Sequence, residues 1–149
     1  MKKKIAILGS TGSIGKTLID ILKKDKKNFE LRLITTNKNI NELLKQIKFF
    51  DVKNVIVKDY KSYLKIKKIL YKKKINIFNK FDSINKIFKN KKIDYSMSAI
   101  SGLDGLDPTL KIIRYTKKIG IANKESIICG WSLINKELLK NKTKFIPID

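Results

Sequence analysis

Apolar positions along this chain alternate between two rhythms. Ile5-Ala6-Ile7-Leu8 is a short unbroken apolar run, the mark of a strand buried on both faces. After it, Leu18, Ile21 and Leu22 recur at helical spacing and predict an amphipathic helix. The same exchange then repeats to the end of the chain. Phe29 to Thr35 predicts a second strand, and Ile40, Leu43, Leu44 and Ile47 the stripe of a second helix, opened by Asn39 and Glu42 at capping-box spacing. Val55-Ile56-Val57 reads as a third strand. Tyr60 to Lys73 reads as a lysine-rich helix with Tyr63, Leu64, Ile69 and Leu70 on its apolar face. Ile75 to Phe78 predicts a small strand, and Asp82 the cap of a helix carrying Ile84, Ile87 and Phe88.

Ile93 to Ile100 is the next predicted strand, closing on Ser101-Gly102. Asp107-Pro108 predicts a helix start, with Asp as N-cap and Pro at the first helical position, and Leu110 and Ile113 face inward. Ile119 to Ala122, then a helix over Glu125 to Lys140, then Phe145 to Ile148 complete the pattern. Strands separated by helix-length segments require right-handed crossovers and a parallel sheet covered on both faces. The expected fold is a doubly wound, Rossmann-like α/β domain, without internal repeat or linker, and 149 residues suffice for one core.

Three glycines mark the first strand-to-helix turn. Gly9, Gly12 and Gly15 are spaced G-x-x-G-x-x-G, in the context that dinucleotide binding requires. Gly9 permits the sharp turn, Gly12 the approach of backbone to a pyrophosphate, and Gly15 the close packing of helix on sheet. The amides of Thr11, Gly12, Ser13 and Ile14 would then face an anion at a helix N-terminus. Glycines alone would fit an empty turn; the strand before and helix after them favour a ligand. In a parallel sheet, Thr11–Ile14, Thr36–Asn39, Ser101–Gly102, Asn123–Glu125 and Asp149 all collect on the carboxyl edge, where open α/β sheets bind ligands.

The end of the second strand bears on the cofactor. NAD enzymes place an acid there, about 20 residues past the glycines, to hold a ribose hydroxyl. Here Thr35, Thr36, Asn37, Lys38 and Asn39 offer hydroxyls, amides and an ammonium but no carboxylate, which suits the 2′-phosphate of NADPH.

Composition narrows the chemistry further. With one cysteine, Cys129, and no histidine, an internal disulfide, a Cys/His zinc site and histidine catalysis are excluded within this chain. No apolar stretch is long enough for a membrane span, and Met1-Lys2-Lys3-Lys4 runs directly into the first strand, so a soluble, cytoplasmic protein without a leader is expected. The formal net charge of +22 invites a nucleic-acid partner. However, all basic residues except Arg32 and Arg114 are lysines, scattered through every segment together with Ile and Asn. Compositional drift explains that scatter better than a recognition patch, and no specific nucleic acid is expected.

Five blocks in order carry a resemblance. Gly9 to Gly15, Asn37-Lys38-Asn39, Ser98 to Thr109, Ala122-Asn123-Lys124-Glu125-Ser126 and Pro147-Ile148-Asp149 closely resemble the 1-deoxy-D-xylulose 5-phosphate reductoisomerase family. The Ala-Asn-Lys-Glu-Ser block is the more specific sign, since many reductases share a glycine loop. The resemblance implies an NADPH-dependent and Mg²⁺- or Mn²⁺-dependent enzyme. Such an enzyme rearranges and reduces a sugar phosphate to 2-C-methyl-D-erythritol 4-phosphate in non-mevalonate isoprenoid synthesis, and works as a homodimer. By the same resemblance, Thr11, Gly12, Ser13 and Ile14 form the pyrophosphate loop. Asn37, Lys38 and Asn39 meet the 2′-phosphate and ribose, Asn123 and Glu125 make further NADPH contacts, Lys124 touches substrate, and Asp149 is the first metal ligand.

Two departures stand out. Asn37 replaces a usual glycine, and Asp104 puts a negative charge where a small apolar residue is usual. The family also continues past this aspartate with Ser-Glu-His, further metal-binding glutamates, a mobile lid and a helical C-terminal domain. The expectation is therefore the cofactor-binding portion, inactive alone. Two rivals are a semialdehyde-dehydrogenase-like reductase, which wants a catalytic cysteine near mid-chain, and a basic nucleic-acid-binding module with stacking aromatics. Cys129 falls in a predicted helix, where a packing role is expected.

Overall fold

The computed structural model describes residues 1–148, and Asp149 lies outside the described residues. Seven strands form one sheet: β1 (Lys3–Leu8), β2 (Phe29–Thr36), β3 (Asn54–Val57), β4 (Asn76–Phe78), β5 (Ile93–Ser98), β6 (Thr116–Ile121) and β7 (Lys144–Pro147). Their order is β4-β3-β2-β1-β5-β6-β7 and every pairing is parallel. The chain winds outward from β1 to β4, then returns to add β5 on the other flank of β1. The β1/β5 pair is thus the topological switch point, where the loops leaving the two strands diverge and leave a crevice.

The helices are α1 (Ser13–Lys23), α2 (Ile40–Phe50), α3 (Tyr60–Ile69), α4 (Ile84–Phe88), α5 (Leu106–Ile113) and α6 (Lys124–Asn141). Successive strand residues point to opposite faces, so Ile5 and Ile7 join a core with α1, α2 and α3. Ala6 and Leu8 join a second core with α4, α5 and α6. This is the doubly wound fold that the alternating pattern predicts.

Several local expectations change. On α1 the buried stripe is Gly15, Ile19 and Leu22, while Ile21 points outward at 57% exposure. At 100° per residue only one of two adjacent apolar positions can face the sheet. On α3 the helix stops at Ile69 and Ile66 is its wholly buried residue, whereas Leu64 and Ile69 face solvent. Strand ends shift as well: β2 runs one residue longer, β5 ends at Ser98, β6 begins at Thr116, and α6 starts at Lys124 and bends at Gly130.

Neither Asp82 nor Asp107 is a cap. Asp82 sits in a tight turn, Phe81–Ser83, ahead of α4, and pairs with Lys111 at 3.2 Å. Asp107 is already inside α5, because a turn over Leu103–Gly105 leads into the helix two residues earlier, at Leu106, and its carboxylate also meets Lys111. Pro108 is tolerated there because the first four helical N–H groups lack partners anyway. Asn39 does cap α2, accepting the Glu42 N–H at 3.2 Å. Only half of the capping box forms, since the Glu42 carboxylate accepts from Gln46 Nε2 at 3.3 Å instead.

Candidate functional site

The first three residues of the glycine loop are fastened to β2 and α2. Gly9 leaves β1 with φ +83, and its N–H donates to Thr35 Oγ1 at 2.8 Å. Ser10 donates its N–H to the Thr35 carbonyl at 2.9 Å and its hydroxyl to Gln46 Oε1 at 2.7 Å. Gln46 Nε2 returns a bond to the Ser10 carbonyl at 3.0 Å. The Thr11 and Thr36 hydroxyls are 2.5 Å apart. Ser10, Thr35, Thr36 and Gln46 are buried, and satisfied buried networks are stiff. The hydroxyls of Thr35 and Thr36, expected to suit a 2′-phosphate, are spent on holding the loop.

Sterics fix the same loop from the other side. A Cβ on Gly9 would lie 2.9 Å from the Ala99 carbonyl oxygen, and one on Gly15 only 2.1 Å from the Gly9 carbonyl oxygen. Gly12 differs: a Cβ there would meet only the Gly9 oxygen, at 3.8 Å, so its open side is available to a ligand. Gly12 is also the N-cap of α1, with no side-chain cap and no acid in the first turn. The first amides of α1 are therefore unclaimed by side chains and sit at the positive end of the helix dipole, a ready anion site.

Beside this loop a cleft of about 640 Å³ opens over the β1/β5 switch point. One wall is Gly9, Thr11 and Gly12. A second is Thr35, Thr36 and Asn37, with Lys58 beyond β3 and the ring of Phe81. The third is the β5–α5 connection, from Ala99 through Ser101, Leu103 and Asp104 to Asp107 and Pro108. Asp59, next to Lys58, accepts from the Ser62 hydroxyl at 2.7 Å and the Ser62 N–H at 3.1 Å, which hold its carboxyl below the usual range. Burial pulls the Lys111 ammonium down, but Asp107 and Asp82 outweigh it and hold it above the ordinary lysine value.

The expected site residues divide into three groups. Thr11, Gly12 and Asn37 line the cleft. Ser13 and Ile14 are exposed on the first turn of α1, and Lys38 and Asn39 are exposed just past β2, with the Asn39 side chain committed to its cap. Asn123 is 3% exposed, and its amide donates to the carbonyls of Ile100 and Gly102 while its oxygen accepts the Ser126 N–H at 3.0 Å. That side chain anchors the cleft's third wall to α6 and has no bonding capacity left for a ligand along these directions. Lys124 and Glu125 are exposed on the first turn of α6. Asp149 lies outside the described residues. Among the described residues no group of three Asp, Glu, His or Cys side chains could hold a metal.

Lys58 and Phe81 are cleft residues that sequence reasoning missed. Lys58 follows a strand just as the recognised loops do, but β3 is so short that its carboxyl end carries no pattern of its own. Phe81 comes from a distant turn and is placed only by the sheet. Asp104, noted as a departure, lines the cleft and is exposed. Cys129 lies on α6 but is exposed and not part of the cleft lining, which corrects the packing role and removes support for thiol catalysis. Among the described residues, no helix is long and apolar enough to cross a membrane.

Known proteins resemble this arrangement closely. Residues 5–130 match the profile of the family described as 1-deoxy-D-xylulose 5-phosphate reductoisomerase. A protein of that description from Pelagibacter ubique is 64% identical over 99% of this chain and 38% of its own length. The solved reductoisomerase of Zymomonas mobilis in complex with NADPH superposes with a TM-score of 0.90 at 27% identity, covering 100% of this chain and 39% of that one. A reductoisomerase solved with NADPH, fosmidomycin and magnesium superposes with a TM-score of 0.89 at 26% identity, over 99% and 36%. The chain thus spans about two fifths of the length of the relatives it matches.

Proposed function

The chain belongs to the 1-deoxy-D-xylulose 5-phosphate reductoisomerase family, and on that premise we propose that it is the NADPH-binding part of such an enzyme. The substrate is 1-deoxy-D-xylulose 5-phosphate, the product 2-C-methyl-D-erythritol 4-phosphate, and the role early isoprenoid synthesis. The observation that carries this reading is the cleft at the switch point. Its floor is a stiffened glycine loop at an uncapped helix N-terminus, and no acid stands at the end of β2.

The residues present fit a dinucleotide. The open face of Gly12 and the free amides of Ser13 and Ile14 suit a pyrophosphate, and Thr11 shapes the wall beside it. Asn37 and Lys38 are free to meet the ribose and 2′-phosphate, and Asn39 can contribute through its backbone. Asn123 acts by holding the loop at Ile100 and Gly102 in place, which defines where the nicotinamide end can lie. Glu125 makes a further cofactor contact, and Lys124, exposed beside it, gives positive charge to the substrate. When bound, NADPH supplies the hydride that reduces the rearranged aldehyde.

The described residues do not by themselves fit a divalent metal, since no three of their His, Cys, Asp or Glu side chains gather to hold one. Asp149 is this chain's candidate for that site. Magnesium in the relative solved with NADPH and fosmidomycin supports a metal centre completed by residues beyond this cleft. The working protein is further proposed to be a cytoplasmic homodimer.

Fluorescence titration with NADPH and NADH tests the cofactor reading. Binding of NADPH at least about tenfold tighter, from one added charge-assisted contact, is expected. Equal affinity for the two overturns it. Turnover of 1-deoxy-D-xylulose 5-phosphate, followed by NADPH oxidation with and without chelator, tests the reaction. It is expected only when the rest of a reductoisomerase accompanies this chain, and absence of turnover in that longer protein refutes it.

A further inference from the structure

The cleft contains one basic side chain, and it is not the one the second strand advertises. Lys58 is the sole lysine or arginine among the described lining residues. Its backbone N–H donates to the Thr36 carbonyl at 3.0 Å, and the next N–H, of Asp59, to the Asn37 carbonyl at 3.1 Å. Lys58 is therefore stitched to the corner where β2 ends, the corner that receives the adenosine ribose in a doubly wound fold.

Apart from Asn37 and Lys38, the polar side chains at that corner are engaged. The Thr35 hydroxyl accepts from Gly9, the Thr36 hydroxyl pairs with Thr11, and the Asn39 side chain caps α2. Lys58 itself is exposed and unpaired: no ion pair engages it among the described residues, and the neighbouring Asp59 carboxylate is committed to Ser62. Its ammonium rests 5.3 Å from the centre of the Phe81 ring, a contact that steadies a cation without neutralising it. Asp104 and Asp107 line the same cleft from the β5–α5 connection, and Asp107 is turned to Lys111. A free cation held on an aromatic ring at the ribose corner is what a phosphate monoester on that ribose would meet.

We infer that Lys58 is a specificity-determining residue of this site, contacting the 2′-phosphate of NADPH from the β3 side while Lys38 approaches from the β2 side. The inference rests on the NADPH reading above and adds a residue to it. It also accounts for the missing acid at the end of β2: a carboxylate there would pair with Lys58 and cancel it.

The test measures NADPH and NADH dissociation constants by fluorescence titration for the unchanged chain and for Lys58→Met, Lys58→Arg and Lys38→Met. Circular dichroism checks that each folds, which an exposed side chain should not prevent. Lys58→Met is expected to weaken NADPH about tenfold to a hundredfold and to leave NADH within about twofold. Lys58→Arg should keep most of the preference. If the unchanged chain prefers NADPH but Lys58→Met weakens both cofactors equally, or neither, Lys58 is not the selector and only this inference falls. If only Lys38→Met alters the ratio, it falls likewise. An unchanged chain without preference for NADPH overturns the cofactor reading and this inference together.

Discussion

Replacing Gly15 by Ala sets two physical effects against each other. Gly15 lies in the first turn of α1, where helix propensity alone favours Ala by about 1 kcal/mol. The structure opposes this. The new Cβ would sit 2.1 Å from the Gly9 carbonyl oxygen, 2.7 Å from Ser10 Cα and 2.9 Å from the Gly9 carbonyl carbon, all of them backbone. Ordinary contact begins near 3.4 Å, so helix and loop must part by roughly 1 Å, an overpacking that costs about 1–3 kcal/mol. Moving the loop also strains the Gly9–Thr35 and Ser10–Gln46 hydrogen bonds, worth about 1 kcal/mol each. The expected result is a net loss of about 2–4 kcal/mol once the propensity gain is subtracted. The assay is urea denaturation followed by far-ultraviolet circular dichroism, with NADPH titration on the folded fraction. Gly130→Ala is the comparison, because the atoms nearest its Cβ belong to the side chain of Leu106, at 2.5 Å, which can rotate away, rather than to backbone. It should cost clearly less. A Gly15→Ala chain as stable as the original, or less perturbed than Gly130→Ala, would refute the steric reasoning.

Other outcomes follow from the same contacts. Thr35→Val keeps the shape but leaves the Gly9 N–H without its acceptor, so a loss of about 1–2 kcal/mol and weaker NADPH binding are expected; unchanged melting and affinity would contradict the loop network. Asn123→Ala removes three bonds at a buried site and should cost about 2–4 kcal/mol, read by the denaturation midpoint. Restored stability in Asn123→Asp would be contrary, since a carboxylate cannot donate to the Ile100 and Gly102 carbonyls. Asp94 accepts the Lys4 N–H at 2.8 Å, which with the nearby Lys117 holds its carboxyl below the usual range. A carboxyl lowered on folding stabilises the fold above its unfolded pKa and loses that contribution as pH falls through the folded value. Stability should therefore drop below about pH 4, and Asp94→Asn should flatten that drop in an acid titration. An unaltered acid limb would count against the contact.

By itself the sequence determined the order of strands and helices, their parallel arrangement and the edge on which the cleft opens. These rest on periodicity and chain connectivity, both local properties that a reader can count. It also located the turn at Gly9, Gly12 and Gly15, because backbone demands such as the φ of +83 at Gly9 select residue types directly. Tertiary structure alone decided which polar groups remain free. Thr35, Thr36 and Asn123 read as ligand contacts along the chain, yet their side chains are consumed by Gly9, Thr11, Ile100, Gly102 and Ser126. Those partners lie up to 26 residues away in sequence. Lys58 and Phe81 enter the cleft for the same reason. A hydrogen bond or a cleft wall is a statement about distance in space, and adjacency across a sheet has no signature in the order of residues until the strands are paired.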